Sequence, residues 1–298
     1  MKRRPQDQHR NRPRKPGPRP APGGGGWDHV ADWYDRLVGD EGSDYHRNVI
    51  LPTALRLLAP QPGERILDLC CGQGVLTRII AEKTAEAASA RTDARRRPAP
   101  GSPPDDSAVH VVGVDASPRL IAAAKSRGPA DPRVRYIVCD ATNLGDLADG
   151  RFDAAACVMA VQDVADIPAL FRELGRTLRP GGRAVIVMMH PCFRVPRQSD
   201  WGWDEAKKTQ YRRIDRYLSS MAVPIATHPG SDPGQHTYFH HRPLQDYINA
   251  LGAAGLAVVA AEEPVTHREP PRGARYRGQK RSFQEIPVFL ALKALKLP

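Results

Sequence analysis

Apolar residues along this chain gather in short runs in which consecutive positions are hydrophobic. Arg65 to Cys71, Val109 to Val114, Val134 to Cys139, Phe152 to Val161 and Arg183 to Met189 are such runs, and stretches of helical spacing separate them. A strand that is apolar on both faces must be covered on both, so the alternation predicts a parallel sheet with helices packed on either side. Right-handed crossovers then make the fold a doubly wound α/β sheet. Upstream, Trp27 to Leu58 carries apolar residues at helical spacing, broken at Gly39 to Ser43 and ended by Ala59-Pro60-Gln61-Pro62-Gly63. This predicts one or two short helices before the first strand, a candidate lid or flank.

The first run ends in Asp68-Leu69-Cys70-Cys71-Gly72-Gln73-Gly74 and leads into a helix. Two glycines two apart let a backbone approach a ligand without a Cβ clash, and the helix that follows presents unpaired amides and a positive dipole end. The bland alternative is a strand-to-helix turn that needs glycine only for positive φ. In a nucleotide site the next strand ends in an acid about 20 residues further on, placed to accept from ribose hydroxyls. Here that acid is Asp115, 47 residues after Asp68. Residues 84–108 account for the difference: they include Arg95-Arg96-Arg97-Pro98 and Gly101-Ser102-Pro103-Pro104 and carry no core pattern, and without these 25 residues the separation is 22. The segment reads as a disordered surface insertion. Asp115 could instead cap the helix Pro118 to Lys125, a role Ser117 can fill by itself.

Composition narrows the class. The 298 residues are 41% apolar and 26% charged, and no window approaches the ~18 uninterrupted apolar residues of a membrane span. The N-terminus has basic residues with no apolar stretch behind them, so neither a secretory signal nor a transit helix fits, and a cytoplasmic location is expected. Five cysteines without a C-x-x-C pair (Cys70, Cys71, Cys139, Cys157, Cys192) read as reduced thiols, with neither a disulfide framework nor a metal site. Of the net charge of +11, residues 1–26 hold eight Lys or Arg against one Asp, leaving +4 for the other 272 residues. That Pro- and Gly-rich basic tail is expected to be disordered and solvated, with contact to nucleic acid the less favoured reading.

With the insertion set aside, residues 27–298 resemble a class I S-adenosylmethionine-dependent methyltransferase domain. The matching motifs are Ile66 to Gly74, Val112-Gly113-Val114-Asp115-Ala116-Ser117, Tyr136-Ile137-Val138-Cys139-Asp140-Ala141, Phe152-Asp153 through Val161-Gln162-Asp163-Val164, and Leu178-Arg179-Pro180-Gly181-Gly182-Arg183. The resemblance implies a Rossmann-like methyltransferase fold: a seven-stranded, mostly parallel sheet with Leu256 to Glu262 as the sixth strand and Ile286 to Lys293 as an antiparallel last strand. It implies S-adenosyl-L-methionine as cofactor, with Gly72, Gly74, Asp115, Ala116, Asp140 and Ala141 around it and Asp68 steadying the glycine turn. Asp115 would hold the ribose hydroxyls and Asp140 the adenine amino group. One departure is Cys70, which stands where the family's fullest pattern, Asp-x-Gly-x-Gly-x-Gly, has its first glycine. A nicotinamide dehydrogenase is disfavoured because Thr77 replaces the third glycine of the dinucleotide fingerprint.

The acceptor site is expected in residues 190–241, a cap insertion a minimal fold would not need. Asp204 to Leu218 reads as helical, with Tyr211, Ile214 and Leu218 on one face and Lys208, Arg212 and Arg216 on another, suiting a planar or acidic small acceptor. Candidate general bases are His190, Asp163 and His240, needed only if the acceptor is a hydroxyl or a carbon acid. His228, His236, His240 and His241 lack close metal-ligand spacing. His190-Pro191-Cys192-Phe193 follows the fifth strand, whereas the Asn-Pro-Pro-Tyr type of motif that grips an extruded base follows the fourth. A helix from Arg242 to Leu251 and a flexible basic loop from Thr266 to Ser282 complete the expectation. A small-molecule methyltransferase is thus expected; an RNA or protein methyltransferase recruited through the tail, and a non-catalytic cofactor-binding relative, are the alternatives.

Overall fold

Seven strands share one sheet in the computed structural model, which describes residues 26–93, 110–128, 130–145, 147, 149–225 and 236–298. The described chain begins with α1 (Ala31–Val38) and α2 (Leu51–Leu58). It then alternates through β1 (Arg65–Leu69), α3 (Val75–Asp93), β2 (His110–Asp115), α4 (Pro118–Ser126), β3 (Val134–Val138), β4 (Phe152–Val158), α5 (Ile167–Thr177) and β5 (Leu178–Met189). Two hairpins follow, β6 (Ser199–Asp204) with β7 (Thr209–Ile214) and β8 (Met221–Ile225) with β9 (Thr237–His241). The chain closes with α6 (Leu244–Ala253), β10 (Leu256–Glu262), α7 (Tyr276–Glu285) and β11 (Phe289–Lys296).

The sheet order is β3-β2-β1-β4-β5-β11-β10. All neighbours from β3 to β5 are parallel, and β11 is antiparallel to both β5 and β10. Alternate residues serve opposite faces. Leu67, Leu69 and Ile186 pack with Leu170 and Leu174 of α5 and with Tyr247 and Leu251 of α6. Ile66, Val185 and Val187 pack on the other face with Leu58 of α2 and Ile80 of α3. Burying such side chains on both faces contributes about 1.5–3 kcal/mol each, which is why these runs are apolar at consecutive positions.

Local signals set the ends of the elements. Ser117 Oγ accepts from the Leu120 amide at 3.1 Å and caps α4, and Asp166 Oδ1 accepts from the Ala169 amide at 2.9 Å and caps α5. The Leu178-Arg179-Pro180-Gly181-Gly182 segment joins β5 through an irregularity in its pairing with β4. Gly181 has φ 74°, and a Cβ on Gly182 would stand 2.8 Å from the Arg179 carbonyl.

Three expectations are corrected. Residues 84–93 continue α3, so the segment set aside as an insertion is helical over its first ten residues; residues 94–109 lie outside the described residues, as does the tail through residue 25. Asp204 to Leu218 is not a helix, so the cap is built of hairpins. The supposed apolar face reaches Leu218, which is 71% exposed, whereas Gly202 lies opposite Tyr211 and gives that ring room. Cross-strand pairing wins because Trp201 and Trp203 find partners there and in α7, not along one helix. Residues 276–282 of the supposed loop belong to α7, whose Gly278 lies against the Trp203 ring and whose Ser282 Oγ donates to the Gln210 carbonyl at 2.6 Å.

Candidate functional site

The strand order reverses between β1 and β4, and in open α/β sheets the crevice at the carboxyl ends of such strands receives the ligand. There the chain makes a tight turn in which Cys70, Gly72 and Gly74 all take left-handed backbone angles, φ 54°, 56° and 79°. A Cβ on Gly74 would stand 2.5 Å from the Tyr136 hydroxyl, so no larger residue fits. Asp68 is 2% exposed and accepts from Thr77 Oγ1 at 2.6 Å, tying the end of β1 to the first turn of α3. Burial pushes its carboxyl up to about 7, with the charge of Asp115 adding to the shift and the Thr77 bonds opposing it.

Asp115 completes the turn from the neighbouring strand. Its Oδ2 accepts from the Gly72 amide and its Oδ1 from the Ser117 amide, each at 2.9 Å. Since Ser117 caps α4 itself, Asp115 is free for another role. Each oxygen retains a lone pair, an acceptor pair that fits two vicinal hydroxyls. Burial raises this carboxyl as well. Ala116 is exposed beside it. Beyond β3, Asp140 is exposed and forms an Asx turn in which Oδ1 accepts from both the amide and the hydroxyl of Thr142 at 2.8 Å, leaving Oδ2 unengaged; Ala141 is buried beneath.

Two further groups face this turn from other elements. The Tyr34 ring of α1 lies over Gly72, 3.1 Å from where a Cβ would be. Its phenol is pushed well above its ordinary value by burial and by the charges of Asp115, Asp163 and Asp68. Asp163 ends the turn Val161–Asp163 after β4 and is raised well above the carboxylate range by burial. Among the described residues its carboxyl has no hydrogen-bond partner. Two buried carboxyls and one half-buried carboxyl, with no counter-cation among the described residues, thus lie around one tyrosine, an environment that favours a positively charged ligand. Tyr34 was not singled out in the sequence; helical spacing placed its helix but not which residue meets the glycines.

The candidate bases differ in their surroundings. His190, 1% exposed, accepts from the Cys192 amide at Nδ1 (3.2 Å), so Nε2 carries the proton and donates to Glu263 Oε1 at 2.8 Å. With both ring nitrogens engaged, and burial holding it neutral, this ring has no free lone pair for a substrate. His240 lies on β9, which packs against Val161–Asp163. Among the described residues its ring makes no hydrogen bond, and burial, with the Arg242 charge, lowers it to about 4. Arg242 clamps β9 to the turn after β4 by donating to the carbonyls of Val164 and Ala165 at 2.8 and 2.6 Å. The structure therefore brings Asp163 and β9 together and engages His190 elsewhere. His236 meets the Tyr238 hydroxyl and His241 the Tyr217 carbonyl, while His228 lies outside the described residues.

This order of strands, with a glycine turn after the first, an acid at the end of the second and an antiparallel last strand, defines the Rossmann-like methyltransferase fold. A family profile described as a methyltransferase domain matches residues 102–186. The chain is 32% identical over 248 residues to a 2-phytyl-1,4-naphtoquinone methyltransferase of Synechococcus elongatus, covering 83% of this chain and 91% of that one. It is 33% identical over 262 residues to a demethylmenaquinone methyltransferase of Clavibacter sepedonicus, covering 85% and 88%. Among solved structures, an S-adenosylmethionine-dependent methyltransferase from Mesorhizobium loti superposes with TM-score 0.59 at 28% identity, covering 82% of this chain and 96% of that one. The chain belongs to the class I S-adenosylmethionine-dependent methyltransferases.

Proposed function

We propose that the protein methylates a small aromatic molecule and that Asp163 takes the acceptor's proton. When bound, S-adenosylmethionine supplies an electrophilic methyl on a sulfonium whose departure leaves a neutral thioether. Asp115 holds its ribose hydroxyls, Asp140 Oδ2 its adenine amino group, and the Gly72–Gly74 backbone its amino-acid end, with Asp68 and Thr77 bracing the turn. Tyr34 closes over the glycines and excludes water. The acceptor enters between α1 and the hairpins, and its hydroxyl or acidic carbon gives a proton to Asp163 as the nucleophile forms its bond to the methyl carbon. Most of the acceleration comes from holding the two reactants in line.

The observation that carries the reading is Asp163, a half-buried carboxyl with no hydrogen-bond partner among the described residues, at the strand-order reversal, beside Tyr34 and next to β9. The quinone names of the relatives support an aromatic acceptor. No described helix is long and apolar enough to cross a membrane, and the five free cysteines support a cytoplasmic setting. The test begins by incubating the protein with S-adenosylmethionine and metabolite extracts and identifying compounds that gain one methyl. On the acceptor so found, Asp163→Asn is expected to lower kcat by about 10²–10⁴ while calorimetry shows S-adenosylmethionine still bound. Full turnover by Asp163→Asn removes the base assignment.

A further inference from the structure

Beyond the carboxyl end of β5 the chain brings two arginines together. Arg212 of β7 donates through Nε to the Phe193 carbonyl at 2.9 Å, so it is pinned to the residue just before Arg194. It also donates to Ser199 Oγ at 2.6 Å, and its guanidinium carbon stands 5.1 Å from the centre of the Trp201 ring. Neither cation is paired. Among the described residues no carboxylate lies within ion-pair distance of either, and the Arg194 guanidinium makes no hydrogen bond at all. Other half-buried arginines are satisfied, Arg127, Arg176 and Arg183 by a carboxylate and Arg78 and Arg242 by backbone carbonyls. The Asp200 carboxylate acts on Arg212 only at longer range, and in the strand register it lies opposite Arg213. Burial holds both guanidiniums below their ordinary value, the Arg194 charge lowers Arg212 further, and the Tyr45 hydroxyl acts on Arg194 in the opposite direction.

Two half-buried guanidiniums, one held to the backbone beside the other and feeling its charge, are costly unless something negative lies near. A planar fork of donors matches the two oxygens of a carboxylate or phosphate. Their position is also informative. β5 is two strand spacings, about 10 Å, from β1 across the sheet. The arginine pair and the glycine turn follow carboxyl ends of these parallel strands, with the Asp163 turn on the strand between them.

We propose that the methyl acceptor carries an anionic group, a carboxylate or a phosphate ester, which Arg194 and Arg212 hold beyond the end of β5 while its apolar body extends toward Asp163. This rests on the small-molecule reading above and adds a charge to it. The pair sets which acceptor is chosen and takes no part in cofactor binding.

The test uses the full chain, in a buffer free of multivalent anions, titrated with benzoate and with inorganic phosphate. Calorimetric affinity and Tm are read for the protein, Arg194→Gln and Arg194→Lys, and S-adenosylhomocysteine affinity is measured on each. One of the two anions is expected to bind saturably and to raise Tm. Arg194→Gln is expected to weaken that binding tenfold or more with S-adenosylhomocysteine affinity unchanged, and Arg194→Lys, which keeps the charge without the fork, falls between. Without anion, Arg194→Gln is expected to melt at or above the parent temperature, since it removes an uncompensated cation. Binding of benzoate alone assigns a carboxylate, and of phosphate alone a phosphate ester. The proposal is overturned if neither anion binds saturably, if Arg194→Gln binds them as the parent does, or if it melts lower without anion, which marks a structural role. Failure of the parent to bind S-adenosylhomocysteine strikes the methyltransferase site instead.

Discussion

Cys70 shows how one residue carries the demands of its turn. It stands where the family's fullest pattern has glycine, and it takes φ 54°, a left-handed angle that costs a residue with a Cβ roughly 1–2 kcal/mol. The departure visible in the sequence therefore keeps the backbone path and pays in strain. Asp68 stores a second cost. In the unfolded chain it titrates near 3.8, whereas in the folded protein burial holds it at about 7. The raised value means that its contribution to stability is fully present below about pH 4 and is lost as pH rises to about 7; the raised carboxyls of Asp115 and Asp163 act in the same direction. The ligand-free protein is expected to lose Tm as pH rises from about 4 to about 7. Asp68→Asn should flatten part of that decline, on the order of a few kcal/mol at the upper limit, as thermal melts across the range would show. An unchanged slope would mean that Asp68 stays ionised. A cationic ligand favours the ionised carboxyls, so S-adenosylmethionine should bind more tightly as pH rises through 7, with protons released on binding.

Among the elements, α1 decides whether the site can close. It and its flanking residues are strapped to α4 and its caps: Asp28 Oδ1 accepts from Ser117 Oγ at 2.7 Å, Asp32 meets Arg119 at 2.6 Å, and Arg127 binds Asp35 through two nitrogens at 2.6 and 2.8 Å and also reaches Asp40. Gln73 of the glycine turn donates to the Gly39 carbonyl at 2.5 Å. The lid is thus anchored at both ends, with Tyr34 between. Arg127 is the strap's most buried cation, and Arg127→Ala is expected to cost about 1 kcal/mol of closure, several-fold in S-adenosylmethionine affinity at low salt. Because salt screens these pairs, the parent's affinity should fall with ionic strength more steeply than the variant's. Parallel salt dependences in calorimetric titrations would show that the straps do not govern binding.

At the scale of the whole molecule, the sheet offers one carboxyl end to the cofactor and the hairpins stand over it. β6 and β7 are backed by α7, where Arg275 lies 5.0 Å from the centre of the Trp203 ring, and β9 rests on the turn after β4. Removing residues 1–26 is expected to leave Tm, S-adenosylmethionine affinity and turnover of a small acceptor unchanged. A large loss of turnover in the truncated protein, with cofactor binding intact, would favour the RNA or protein acceptor.

The sequence by itself determined the alternation of strands and helices, the glycine turn and the partnership of Asp68 with Asp115, because periodicity, glycine placement and motif order are local or follow fixed strand connections. It also placed Asp163 after the fourth strand. Only the tertiary structure decided which face of α1 covers the glycines, that the cap is made of hairpins and that residues 276–285 form a helix. Tyr211, Ile214 and Leu218 keep helical spacing in the sequence, yet pairing with Trp201 to Trp203 and packing of α7 against Trp203 outweigh that local preference, which amounts to tenths of a kcal/mol per residue. The roles of His190 and Arg194 were equally hidden. A histidine whose ring is already engaged by Glu263, 73 residues away, and an arginine left without a carboxylate are defined by what surrounds them in space.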